Sequence, residues 1–130
     1  MRLTYVDCEI SNAARPTRKV KVRFLVDSGA VYSLVPRPLL RRLGIRPLRT
    51  DEFELADGSV IRRRVGPAIF RLQRRAGASD VVFGGARDEP LLGVVALESM
   101  GLEIDPVRRK LRKTRLMMVG LRARRRSKRR

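Results

Sequence analysis

The chain has no histidine and a single cysteine, Cys8, among its 130 residues. The first absence removes Ser-His-Asp and Cys-His catalysis, histidine-ligated metals and imidazole acid–base chemistry together. The second removes any internal disulfide and, with histidine missing, zinc sites of the usual Cys/His kind. Hydrolytic chemistry is left to carboxylates, lysine, tyrosine or the lone thiol. No apolar run is long enough to span a membrane. The N-terminal MRLTYVDCEIS also lacks the apolar core of a signal peptide, so a cytoplasmic protein is the expectation. Acids are scarce as well, with 13 Asp and Glu against 31 Lys and Arg.

That imbalance is uneven along the chain. From Val107 to Arg130 there are 13 basic residues and no acid, which leaves 18 basic and 13 acidic residues, a net of +5, in the first 106. The body is therefore mildly basic, and most of the net charge of +18 sits in the last two dozen residues. The length suits one domain with a real core, expected over residues 1–120. The remainder, 121–130, reads as a basic tail that cannot fold alone.

The patterning is mostly that of strands. Residues 3–10 alternate loosely, and Lys19 to Val26 alternates cleanly, with Val20, Val22, Phe24 and Val26 on one parity. A further strand is expected from Ala30 to Val35, then a short helix over Leu39 to Leu43 that Gly44 stops. Asp57-Gly58 between two strand-like runs predicts a hairpin across residues 52–62. Strands are expected at Val65 to Gln73, broken near its start by Gly66-Pro67, and at Asp80 to Phe83. Val94 to Met100 reads as a helix that ends at Gly101, and Leu102 to Ile104 as a strand. Val107 to Leu111 and Leu116 to Val119 are candidates for the last two strands.

One stretch organises the rest. LVDSGAVYSLV, Leu25 to Val35, runs an apolar strand directly into Asp27. A carboxylate at the end of a buried strand is costly without a use or a partner. Ser28 adds a hydroxyl to the turn, Gly29 adds backbone freedom, and the small Ala30 leaves room beside the acid. Taken alone, Asp, Ser and Gly are ordinary turn residues. The order of features along the chain is more specific. Asp27-Ser28-Gly29-Ala30 is followed by the hairpin with Gly58 at its tip, then by Leu91-Leu92-Gly93 about sixty-five positions after the aspartate, then by a short helix.

This order resembles the retropepsin-like aspartic proteases, the single-domain enzymes typified by retroviral proteases, with relatives in bacteria. The resemblance covers roughly Val20 to Val119, and LLGVVALESMGLEIDPVRRKL is similar to what bacterial and retroelement members carry after their second glycine motif. It implies a mainly β, barrel-like fold with one or two short helices, active as a homodimer in which each chain gives one Asp27. The implied catalytic residues are Asp27, Ser28 and Gly29, with no metal or other cofactor. Ala30, Val31, Asp57, Gly58, Ile61, Leu92 and Val94 would line the site for an extended peptide or protein substrate, the hairpin serving as a flap. Where many retroviral members place an acid and an arginine that pair, this chain has Val31 and Val94. Both partners are then apolar and no charge is stranded, which is similar to the cellular branch of the family.

The resemblance thus implies an aspartic endopeptidase. Two other readings stay open on the sequence: a non-catalytic dimeric peptide-binding scaffold of the same fold, and a basic nucleic-acid-associated protein acting through its tail. Arg122 to Arg130 could hold nucleic acid or an anionic surface non-specifically. The tail has no aromatic residue, which argues against base stacking and sequence recognition.

Overall fold

A computed structural model of the chain describes residues 4–115. The alternating segments form a first antiparallel pair, β1 (Thr4–Ser11) and β2 (Lys19–Val26), in unbroken register from Thr4 opposite Val26 to Ser11 opposite Lys19. β3 (Ser33–Pro36) leads into the helix α1 (Arg37–Arg42), whose first turn contains Pro38, a residue preset for that position. β4 (Arg49–Glu54) and β5 (Val60–Leu72) form the Asp57-Gly58 hairpin, and β6 (Arg75–Gly84) turns back along β5. The short β7 (Leu91–Leu92) precedes α2 (Val94–Ser99), and β8 (Leu102–Ile104) pairs with β9 (Leu111–Lys113) in a separate ribbon.

The main sheet runs β1-β2-β7-β3-β6-β5-β4, and β1 also pairs with β5 through Glu9–Arg71, Ile10–Phe70 and Ser11–Ile69. That second pairing closes six strands into a ring and leaves β4 outside it. The fold is thus a mostly β, closed barrel with two short helices, as the sequence led one to expect. Its interior holds Phe24, Phe70, Ile10, Val35, Leu40, Val81, Leu92 and Leu97, all fully buried or nearly so. Phe24 and Phe70 meet at 6.2 Å between ring centroids. Burying each such side chain contributes about 1.5–3 kcal/mol. Cys8 belongs to the same interior, and burial pushes its thiol up to about 12. No helix among the described residues is long and apolar enough to cross a membrane.

Four boundaries differ from the sequence pattern, each for a physical reason. β5 does not break at Gly66-Pro67. A Cβ on Gly66 would collide with the Arg46 carbonyl, so the glycine lets the 46–47 backbone cross the strand. Pro67 falls between the two outer partners of β5, since β4 ends opposite Val65 and β1 starts opposite Ile69. Val65 turns its carbonyl to that side, where the Leu48 N–H donates to it at 2.8 Å, and Pro67 two residues on faces the same way. A residue without an N–H is tolerated at such a gap.

β6 begins at Arg75, not Asp80, because Gln73-Arg74 makes a tight turn with Gln73 at φ 57°. β3 begins at Ser33, not Ala30, because the carbonyls of Ala30 and Val31 are engaged by α2. Residues 107–110, expected as the start of a strand, instead form a turn around Asp105, whose Oδ1 accepts from the N–H groups of Val107 and Arg108. The expected strand Leu116 to Val119 and the basic segment 121–130 lie outside the described residues.

Candidate active site

Near its end β2 is paired on both edges, with β1 on one side and β7 running parallel on the other, Leu25 opposite Leu91 and Val26 opposite Leu92. Leu25 and Val26 are both buried. The Leu25 N–H donates to the Pro90 carbonyl at 3.0 Å and the Asp27 N–H to the Leu92 carbonyl at 3.4 Å. The strand therefore delivers Asp27 to the barrel rim on a fixed backbone. The next residues turn sharply: the Ala30 N–H donates to the Asp27 carbonyl at 3.0 Å, and the Gly29 N–H to Asp27 Oδ1 at 2.8 Å. One carboxylate oxygen is thus anchored, and the other makes no hydrogen bond among the described residues. Asp27 is half-buried, whereas Ser28 and Gly29 are exposed.

The second glycine motif locks this turn from behind. The Gly93 N–H donates to the fully buried Ser33 Oγ at 2.9 Å. The first two N–H groups of α2, those of Val94 and Val95, donate to the carbonyls of Ala30 and Val31 at 2.9 and 3.0 Å. Those bonds replace a capping side chain, which Gly93 cannot supply. The crossing is so close that a Cβ on Gly93 would lie 2.5 Å from the Tyr32 carbonyl carbon. Asp27-Ser28-Gly29-Ala30 and Leu91-Leu92-Gly93 are therefore one structural unit. Ser33 is a part of it that the sequence pattern did not single out; a small polar residue between buried apolar neighbours was its one signal.

This assigns Ser33 a measurable stability role. Ser33→Ala should destabilise the protein by about 1–3 kcal/mol, because the Gly93 N–H is left unpaired away from water. Urea denaturation of the variant tests it, and a loss below about 0.5 kcal/mol would mean the bond is not holding the crossing.

The hairpin tip is built as a rigid turn. The Leu55 N–H donates to the Ser59 carbonyl at 2.8 Å and the Gly58 N–H to the Leu55 carbonyl at 2.9 Å. Gly58 has φ +85° with open space around its Cβ position, so its backbone angle, not crowding, requires glycine there. Asp57 Oδ1 accepts from the Ser59 hydroxyl at 2.6 Å and from the Ser59 N–H at 2.9 Å. These two bonds hold the Asp57 carboxyl below the usual carboxylate range, the hydroxyl contributing most.

Tyr32 and Phe53 join the hairpin to the Asp27 loop, edge to face at 6.0 Å between centroids. Neither stood out in the sequence, where Tyr32 reads as a packing residue. Ile61 is half-buried in β5 opposite Phe53, and Val94 is half-buried at the start of α2. Val31, Tyr32, Leu55 and Val60 are the exposed apolar residues of the loop and the hairpin. Leu92 is the exception among the expected lining residues: its side chain is in the core, and only its carbonyl reaches the Asp27 loop.

A barrel whose Asp-Ser-Gly loop is locked against a glycine-led helix, with a glycine-tipped hairpin joined to that loop, is the architecture of the retropepsin-like aspartic proteases. Residues 17–99 match the family described as "gag-polyprotein putative aspartyl protease", and the chain belongs to that family. The solution structure of the simian foamy virus (mac) protease is similar in fold, with a TM-score of 0.52 and 24% identity over 73% of this chain and 92% of that one. A retropepsin-like aspartic protease from Rickettsia conorii aligns at 22% identity over 79% of this chain and 84% of that one, with a TM-score of 0.43. A comparison with curated proteins finds no match.

Proposed function

We propose that the protein is an aspartic endopeptidase that acts as a homodimer, with Asp27 of two subunits forming one catalytic dyad. The observation that carries this reading is the setting of Asp27. Its backbone is fixed by β7, one oxygen is held by Gly29, and the second oxygen is left for chemistry. Each chain offers one such loop, and hydrolysis through a shared water needs two carboxylates. A two-fold axis beside the exposed Ser28-Gly29 turn supplies the second. Two carboxylates that close cannot both be charged, so they hold one proton between them.

The ionised member takes a proton from the water as its oxygen attacks the peptide carbonyl carbon. The protonated member gives its proton to the carbonyl oxygen as negative charge develops there. A proton then passes to the amide nitrogen, the C–N bond breaks, and a carboxyl end and an amine end leave. Ser28 hydroxyls from the two subunits would tie the turns together across the axis. The Asp57-Gly58 hairpin would close over an extended substrate held as an added strand, with Ala30, Val31, Ile61 and Val94 among the lining residues. Leu92 acts in this scheme as a positioning residue through its carbonyl.

The test is cleavage of a diverse unstructured peptide library followed over a range of protein concentrations. Specific activity is expected to rise with concentration through the dimer dissociation constant and then level off. Activity strictly proportional to concentration down to high dilution, from a protein shown to be monomeric there, would exclude a shared dyad.

A further inference from the structure

A second concavity lies at the foot of the β4–β5 hairpin, apart from the Asp27 loop. It encloses about 610 Å³ and is lined by Arg37 and Arg41 of α1, Arg46 of the following loop, and Arg62, Arg63 and Arg64 of β5. Ile45 and Phe83, only 5% and 6% exposed, supply apolar lining, and among the described residues no acidic one lines the cleft. Arg37 and Arg41 are one helical turn apart and share a face. Arg62 and Arg64 share a face of the strand, and the Arg63 side chain bends back to donate to the Arg62 carbonyl at 3.0 Å.

The carboxylates nearby do not neutralise these groups. Asp51 and Asp80 both pair with Arg49, and Glu52, opposite Arg62 in the β4–β5 ladder, forms no ion pair among the described residues. Among the described residues none of the six guanidinium groups lies within ion-pair distance of a carboxylate, and Arg37 makes only a 3.5 Å bond to the Gly84 carbonyl. Six cations around one concavity, without internal counter-charge, repel one another and favour an external anion.

We propose that this cleft binds the phosphate backbone of a single-stranded nucleic acid without reading its sequence. Guanidinium forks match phosphate oxygens in pairs and shed water more readily than ammonium groups. The volume is that of a small-molecule pocket, which admits a strand but not a duplex. A net charge of +18 suits a long polyanion better than a short acidic peptide. A bilayer would need apolar side chains that project from the surface, and the apolar lining here is buried. With Phe83 buried there is no stacking platform, so base identity has no reader.

The experiment is fluorescence anisotropy of a labelled 20-nucleotide oligouridine with the full chain, repeated across salt concentrations. Arg41→Glu, Arg46→Glu and Arg64→Glu together are expected to weaken binding at least tenfold. The slope of log affinity against log salt should flatten by about 2, three phosphate contacts at roughly 0.7 each. Arg15→Glu, Arg74→Glu and Arg87→Glu together make the same change in net charge at exposed positions outside the cleft, and should cost far less. Equal losses in the two triple variants would overturn the proposal, since binding would then follow net charge alone. It would equally be overturned if polyglutamate competed as well as unlabelled oligouridine, or if vesicles of phosphatidylserine bound more tightly than the oligonucleotide. Should the cleft variant fail to fold, hydrogen exchange of the unmodified protein decides. Protection by oligouridine at residues 37–47 and 62–64 supports the cleft, and protection confined elsewhere overturns it.

Discussion

Asp27→Asn is expected to reduce peptide cleavage by a thousandfold or more while leaving the fold intact. General acid and general base catalysis each contribute about 10²–10⁴-fold, and in the proposed homodimer both groups are lost at once. The amide is nearly the same size as the carboxyl. Its oxygen can still accept from the Gly29 N–H, which is 2.8 Å from Asp27 Oδ1, so the turn has no reason to open. Two ionised chains must also take up a proton to bring their carboxylates together, and the amides remove that cost. The variant should therefore dimerise at least as tightly as the unmodified protein, which separates loss of chemistry from loss of assembly. Mixing supplies the sharper result. If equal amounts of the two proteins exchange subunits freely, only about one quarter of the dimers keep both aspartates, and activity falls to that fraction of the value for the same total protein, all unmodified. A fall to one half in a mixture shown to have exchanged subunits would mean that each chain acts alone, and the dyad would have to be abandoned.

The parts of this site that are legible in sequence are those with a local cause. Asp57-Gly58 announces its turn because Gly58 needs a positive φ, and the even alternation of Lys19 to Val26 announces a half-buried strand. The second hairpin was not legible, because Gln73 adopts a positive φ without being Gly or Asn, and Arg74 is no turn residue either. Its turn is held by the eight residue pairs of the β5–β6 ladder, from Val65 opposite Val82 to Leu72 opposite Arg75, not by its own chemistry. Gly66-Pro67 reads as a break for the opposite reason: the pair looks like a turn locally, yet a crossing backbone and a gap in the ladder make both residues fit inside a strand.

The site shows the same division. Asp27, Gly29 and Leu91-Leu92-Gly93 stand out by type and order. The Ser33 bond to Gly93 and the Tyr32–Phe53 contact join residues far apart in sequence, which a single chain read in order cannot pair. Leu92 looks like a lining residue because it adjoins the motif, and only the strand's alternation decides that its side chain points inward while its carbonyl meets Asp27.

Gly93→Ala separates two physical effects that predict opposite signs. Gly93 has φ −91° and ψ 171°, an extended conformation open to any residue. On backbone entropy alone, alanine would stabilise the protein by about 0.4–1 kcal/mol, because the unfolded chain loses freedom. The surroundings say otherwise. The new methyl would lie 2.5 Å from the Tyr32 carbonyl carbon and 2.6 Å from the Val31 oxygen. Both are backbone atoms, and neither can swing aside as a flexible side chain would. Overpacking of this kind costs typically about 1–3 kcal/mol. The Val31 oxygen also accepts from the Val95 N–H, so any retreat stretches a bond that holds the Asp27 loop. The steric term therefore wins, and we expect a net loss of about 2 kcal/mol, or a fall of roughly 5–10 °C in Tm for a domain of this size. Thermal and urea unfolding read that number directly. Cleavage should fall further than stability does, because a displacement on the order of 1 Å at the loop can cost about a hundredfold in rate even in the molecules that remain folded. A variant as stable as the original would mean that the two backbones can move apart freely, and the crossing could then not be what positions Asp27.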